Sequence, residues 1–272
     1  MIEKRINELV KLGIEAIGPR IKDGHCVFCG EEVEKGGYCH CKKAYKVNPQ
    51  TKNLRKLIDK YAYVTDLNEF TQLLITQAHF PKKFAGMEFS DYITETEEQK
   101  HNLQLTKEYV KDALKHYLQG TNLIFIGNFG NGKTMLMSIA GDEIIRKFGI
   151  QVKYVNVYDL SEKLKKSFED KSISTAKIIE EHKTSQILIL DDIDKVNPTP
   201  FIVDLMYGIA NYRAENNLPT WVNANHSMKE LEENFYGEGA MSRFYDNSIK
   251  AKFTGENWRL RTGAESKGLA AQ

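Results

Sequence analysis

Apolar residues recur along this chain with two periods, and the switches between them mark out its elements. Leu123 to Ile126 form a short continuous apolar run, the kind a fully buried strand requires. Residues 152–157 alternate as a strand does, and residues 186–190 are an apolar run that ends in Asp191, Asp192 and Asp194. Residues 220–224 form another run, ending at Asn225, and residues 248–253 form the last. Five candidate strands therefore start near Leu123, Val152, Ile187, Thr220 and Ile249. Helical spacing fills the gaps. Residues 94–118 carry Leu103, Tyr109, Val110, Ala113 and Tyr117 on one stripe, with Gly120 as a C-cap. A helix starts at Asp159-Leu160 and carries Lys163, Lys165 and Lys166, another spans residues 201–214, and residues 227–236 are helical. Strands alternating with helices predict an α/β fold with a parallel sheet and a ligand at the carboxyl ends of its strands.

Upstream, the pattern is helical only. Residues 1–17 place Ile2, Ile6, Leu9, Val10, Ile14 and Ile17 at near-helical spacing among charges, an amphipathic helix rather than a secretory signal. Leu54, Ile58, Tyr61, Leu67, Phe70, Leu73 and Leu74 predict further helices, with a boundary near residues 77–80. The expected organisation is an N-terminal module over 1–60, a helical linker over 61–79, a main domain over 80–261 and a small polar tail over 262–272. Phe84, Met87, Phe89 and Tyr92, at the start of the main domain, suit either an adenine pocket or ordinary core. The formal charge of +1 gives no global basic field, so any nucleic-acid contact must be local. Residues 42–60 are basic, as a nucleic-acid patch or a solvated helix face would be. No apolar run reaches transmembrane length.

The chemistry concentrates after the first strand. Gly127-Asn128-Phe129-Gly130-Asn131-Gly132-Lys133-Thr134, followed by Met135, fits the phosphate-binding pattern G-x-x-x-x-G-K-[ST] between a strand and a helix. Glycines let the backbone curl round an anion, Lys133 reaches the β- and γ-phosphates, and the Thr134 hydroxyl ligates Mg²⁺. ATP with Mg²⁺ is the expected ligand. Asp191, at the end of an apolar strand, sits where a carboxylate holds the Mg²⁺ shell, and Asp192 where a base polarises the attacking water. Asp is one methylene shorter than the Glu common at that second position, so slow hydrolysis is expected. Asn225 is either a phosphate-sensing residue or a turn former.

All four cysteines lie within residues 26–41. Cys26 and Cys29 form a C-x-x-C pair, and Cys39 and Cys41 flank His40. Tetrahedral Zn²⁺ takes four such donors, with His25 or His40 as possible substitutes. Two disulfides, or free core thiols, are the competing readings. With no cysteine elsewhere, a cytoplasmic protein is the simplest expectation.

Residues 80–261 resemble the AAA+ ATPases of the DnaC/DnaI helicase-loader family and the related IstB-type transposition ATPases. The likeness rests on Phe80-Pro81-Lys82-Lys83-Phe84, residues 127–134, Asp191-Asp192, Asn211-Tyr212-Arg213, Leu218-Pro219-Thr220, residues 225–231 and residues 237–243. It implies a five-stranded parallel P-loop core without a C-terminal helical lid. It also implies Asn225 as sensor, Arg243 as an arginine finger acting on a neighbouring subunit, and a nucleotide contact by Arg259. The implied activity is ATP hydrolysis, and the implied partners are a hexameric replicative helicase, single-stranded DNA and further copies of the chain in a ring or spiral. Lys163 to Lys166 are candidates for the DNA contact. The cysteine module resembles the zinc-binding N-terminal domain of the DnaI branch. Such compact loaders are frequently phage-encoded. An ATPase that assists transposase target selection and an ATP-binding adaptor with little hydrolysis are the alternatives.

Overall fold

The computed structural model describes residues 21–22, 25–26, 67–255 and 257–258. Strands β1 (Ile21–Lys22) and β2 (His25–Cys26) pair antiparallel. The main sheet consists of β3 (Asn122–Gly127), β4 (Val152–Asn156), β5 (Ile187–Asp191), β6 (Thr220–Ala224) and β7 (Ser248–Phe253). Its spatial order is β4-β5-β6-β3-β7, and every neighbouring pair is parallel. The five strands expected from the apolar runs thus form one sheet.

Helices α1 (Leu67–Ala78), α2 (Glu97–Lys111), α3 (Ala113–Gln119) and α4 (Lys133–Phe148) contribute to one core, and α5 (Val157–Glu169), α6 (Thr175–Thr184), α7 (Pro200–Glu215) and α9 (Gly237–Tyr245) to the other. A short α8 (Met228–Leu231) runs into a π turn at Glu232–Tyr236 before α9. Successive strand residues point to opposite faces. Leu123, Phe125, Ile189 and Trp221 therefore join the α1–α4 core, while Ile124, Leu188, Leu190 and Val222 join the other. Covering both faces is why the central strands read as continuous apolar runs. β7, an edge strand, alternates instead and leaves Lys250 and Lys252 exposed, which protects the edge from further pairing.

Several element boundaries differ from the apolar pattern. The helix predicted over residues 94–118 is two, broken at Asp112. Tyr109, Val110, Ala113 and Tyr117 on either side all enter the same core, so the stripe runs through the break unnoticed. α2 starts after Thr96, whose hydroxyl accepts from Gln99 N while the Gln99 side chain accepts from Thr96 N. α5 starts at Val157, earlier than Asp159, because the Asn156 side chain accepts from Tyr158 N and ends the strand. α6 lacks a clear apolar stripe, burying only Ile178 and His182, and α9 forms despite Gly237 and Gly239. α1 precedes the expected boundary near residues 77–80, yet its Leu74 and Ala78 are wholly buried with Leu123 and Val152.

Cys29, Cys39, Cys41, His40, Arg259, the helix expected over residues 1–17, the basic stretch 42–60 and the tail 262–272 lie outside the described residues, as does the region where a lid would follow. Cys26 and His25 enter only through the backbone of β2. Among the described residues, no helix is long and apolar enough to cross a membrane.

One buried histidine gives the fold a measurable pH response. His182 Nδ1 donates to Ile178 O within α6, and burial pulls its pKa down from 6.5 to about 4. The folded state favours neutral His182, so its contribution is complete above pH 6.5 and is lost as pH falls toward 4. The shift corresponds to roughly 3 kcal/mol at most. We expect the melting temperature to fall less steeply over that range in His182→Gln than in the unsubstituted protein, as thermal denaturation would show. Parallel slopes would mean that His182 does not drive the loss.

Candidate functional site

At its carboxyl end β3 gives way to a loop, residues 128–132, that leads into α4. Gly127 and Gly132 hold conformations with φ of 143° and 86°, and close packing reinforces the need for glycine. A Cβ on Gly127 would lie 1.9 Å from Phe253 O of β7, and one on Gly132 would lie 2.7 Å from the Tyr92 ring. The curl exposes backbone N–H groups and the positive end of α4 to one point, an arrangement suited to an anion.

Lys133, the first residue of α4, is buried and turns back into this loop. Its Nζ donates to Gly127 O at 2.7 Å, Asn128 O at 2.6 Å and Asn225 Oδ1 at 3.2 Å. Backbone carbonyls are weaker partners for an ammonium than phosphate oxygens, so a triphosphate in the loop can take over these bonds. Thr134 Oγ1 donates to Asp191 Oδ1 at 3.0 Å. Thr134, at the start of α4 after β3, meets Asp191, at the end of β5, across β6, which separates the two strands.

Asp191 is 2% exposed, and its other partners are also neutral: Tyr154 Oη donates to it at 2.6 Å, and Asn223 Nδ2 makes a short bond to Oδ1. Burial, helped by the neighbouring Asp192 charge, raises its pKa against the Tyr154, Asn223 and Thr134 hydrogen bonds that lower it. A buried carboxylate with only neutral partners is what a divalent cation would offset. The hard oxygens of Thr134 and Asp191 suit Mg²⁺, so the residues fit that ion.

Asp192 follows in a left-handed conformation, φ 52°, and faces the same cavity. This cavity has a volume of about 340 Å³ and is lined at the phosphate end by Lys133, Thr134, Asp192 and Asn225. Phe84, Tyr92 and Ile93 also line it, with the Tyr92 hydroxyl donating to Asn131 O of the loop at 3.3 Å, so part of the segment opening the main domain serves the pocket. Phe80 and Phe89 instead pack against the core. Phe129, on the loop, is exposed, with Lys195 Nζ 3.7 Å above its ring.

Arg243 lies elsewhere. Asn122 Nδ2, at the amino end of β3, donates to the main-chain oxygens of Arg243, Phe244 and Asp246. The Arg243 main chain is therefore anchored at the opposite end of the sheet from the phosphate loop. Its Nε donates to Asn211 Oδ1 at 2.8 Å, and its guanidinium carbon sits 4.9 Å from the Tyr207 ring centre.

Tyr154, Asn223, Asp194 and His226 enter the site without having been singled out from the sequence. Asn223 carried a signal, a buried amide inside an apolar strand. Tyr154 carried none, since a tyrosine in an alternating strand is ordinary.

A model of the family described as "IstB-like ATP binding protein" matches residues 50–266. The chain belongs to this family. Two curated Bacillus subtilis proteins are similar to this member. The replicative helicase loader DnaI is 30% identical over 133 residues, 47% of this chain and 42% of DnaI. The phage-like element PBSX protein XkdC is 28% identical over 167 residues, 58% of this chain and 61% of XkdC. The matched segments thus span less than two thirds of either relative. Among solved structures, the DnaC helicase loader superposes with a TM-score of 0.58 at 22% identity, covering 64% of this chain and all of that one. A structure of DnaI gives 0.55 at 20% identity, covering 68% and 98%. These likenesses concern the fold, an α/β P-loop NTPase-like core with a five-stranded parallel sheet.

Proposed function

We propose that this family member is an ATP-dependent loader of a hexameric replicative helicase onto single-stranded DNA. The observation that carries the reading is the similarity to DnaI, in a chain whose Lys133, Thr134, Asp192 and Asn225 line one cavity, with Asp191 bonded to Thr134 beneath it. Lys133 neutralises the β- and γ-phosphates, while Thr134 and Asp191 hold Mg²⁺, which spreads charge on the phosphate oxygens when bound. Asp192 orients and deprotonates the attacking water, and Arg243 of a neighbouring subunit completes the site. Such a contact is head-to-tail and builds a ring or spiral. Lys163, Lys165 and Lys166 are exposed on α5 and available to a DNA backbone, with Lys165 paired to Glu162. The cysteine module, with Zn²⁺ held by Cys26, Cys29, Cys39 and Cys41, is the proposed helicase-gripping part, and Arg259 a further nucleotide contact.

Native mass spectrometry with a cognate replicative helicase, in ATP and then in ADP, tests this reading. A nucleotide-dependent complex is expected, and its mass would give the stoichiometry and any bound zinc. No association in either nucleotide would overturn the loader assignment. The family match favours a second reading, an ATPase that assists a transposase, which predicts association with transposase and none with helicase.

The cavity position of Asp192 gives a separate prediction. Asparagine tolerates the left-handed backbone at this residue, so Asp192→Asn should fold normally. Turnover should fall by about 10²-fold or more with ATP affinity retained. Undiminished phosphate release would remove Asp192 from the mechanism.

A further inference from the structure

Three acids leave β5 within four residues, and each meets different surroundings. Asp191 faces Thr134, and Asp192 faces the cavity. Asp194 turns toward the end of β6, with its side chain fully buried. Its Oδ2 accepts from Asn225 N at 2.7 Å, His226 N at 3.0 Å and His226 Nδ1 at 2.7 Å, and its Oδ1 accepts from Asn225 Nδ2 at 3.1 Å. All four donors belong to the two residues that follow β6.

These bonds occupy the carboxylate and leave it poorly placed to ligate a metal ion or act as a base. They do something else. An asparagine amide can face either way, with its oxygen or its nitrogen toward a given neighbour. Asp194 is an acceptor only, so it selects the Asn225 nitrogen and repels the oxygen. The Asn225 oxygen is thereby turned toward the cavity, where it accepts from Lys133 Nζ at 3.2 Å. An unconstrained amide at this place could equally present its nitrogen to the phosphate end.

We propose that Asp194, itself held by His226, is a positioning residue for ATP hydrolysis. It locks the Asn225 side chain so that the cavity receives a hydrogen-bond acceptor, for the Lys133 ammonium and the attacking water, and not a donor. The inference rests on the hydrolytic reading of the site given above. Burial raises the Asp194 pKa, but the bonds from His226 and Asn225 outweigh it and hold the carboxyl below its usual range. The acceptor-only form is the one present at neutral pH.

Asp194→Asn is the decisive variant, because an amide of the same shape offers the Asn225 oxygen a donor and lets that side chain turn over. Steady-state ATP hydrolysis with helicase and single-stranded DNA present should show kcat reduced by about 10²-fold and KM for ATP nearly unchanged. Asn225→Ala should give a similar loss, and combining the two should add little, because Asp194 acts only through Asn225. Equal and multiplying losses, or a fall in the melting temperature that accounts for the lost activity, would overturn the proposal in favour of a purely structural role. Should Asp194→Asn not fold, His226→Ala serves instead. It removes one donor of four and should reduce kcat several-fold, and only when Asn225 is present. Wild-type protein without turnover would overturn the hydrolytic reading and this inference together. Active wild type with an unimpaired Asp194→Asn would overturn this inference alone.

Discussion

Arg243→Ala should reduce ATP turnover about a thousandfold or more, while single subunits continue to bind ATP. The expectation comes from where Arg243 is anchored. Asn122, at the first residue of β3, holds its main chain, whereas the phosphate loop begins at the last, Gly127. At about 3.3 Å per residue, this strand puts some 15–20 Å between the two ends. Within its own subunit the guanidinium is bonded to Asn211 and stacked near Tyr207, away from the cavity. On the proposed reading, the neighbour's arginine therefore completes the site. Mixing provides the check: Arg243→Ala keeps a complete phosphate site, and Asp192→Asn keeps a complete finger. The mixture should regain part of the turnover that each variant lacks. Normal activity in Arg243→Ala alone, or no recovery on mixing, would sink the assignment.

Arg213→Leu should lower folding stability by about 3 kcal/mol or more, a fall in melting temperature of roughly 6–12 °C. Arg213 is 1% exposed at the end of α7. Its Nη1 donates to the carbonyls of His182, Lys183 and Ser185, its Nη2 to Pro219 O and its Nε to Thr220 Oγ1. Burial pulls its pKa down to about 9, so it is still charged at neutral pH. The positive charge sits at the carboxyl end of α6, where the helix dipole favours it. Leucine would fill part of the volume and leave these carbonyls without their shared donor. Lysine would be a poor substitute, because one ammonium cannot spread to the positions that the planar guanidinium reaches. A melting temperature within 2 °C of the original, roughly the scale of half a kcal/mol, would show that other groups take over the bonds.

Arg213 also illustrates what the chain reveals before folding is known. Asn211-Tyr212-Arg213 is noticeable as a motif, but its two polar members serve different ends: Asn211 accepts from Arg243, and Arg213 ties α6 and α7 to β6. Features carried by contiguous residues were legible. The phosphate loop is eight consecutive residues, and β3 and β5 carry unbroken apolar runs because both of their faces are covered. Features assembled from distant residues were not. Tyr154 meets Asp191 only because β4 and β5 are neighbours in register, with Asn156 opposite Asp191. Asp194 looks like one more acid in an acidic turn until β6 is placed beside β5. The break at Asp112 was hidden because side chains before and after it fill one core. Helix α6 was hidden by the opposite condition, having too few buried residues to make a stripe.

Strand β6 has one further consequence. At its far end Asn225 is bonded to Lys133 and Asp194, and within it Asn223 is bonded to Thr134 and Asp191. At its near end Thr220 N donates to Asn122 Oδ1, and the same Asn122 amide caps the carbonyls that anchor Arg243. The five residues of β6 thus connect the phosphate end of the cavity to the segment that carries Arg243. The Asn225 bonds, of 3.1–3.2 Å, lie at the edge of the packed interior and the 2.7 Å Thr220–Asn122 bond within it. If the proposed function holds, a shift along β6 as phosphate arrives or leaves would be felt at Arg243. In a ring or spiral of the kind proposed, β6 would link each subunit's nucleotide site to the arginine it offers the next.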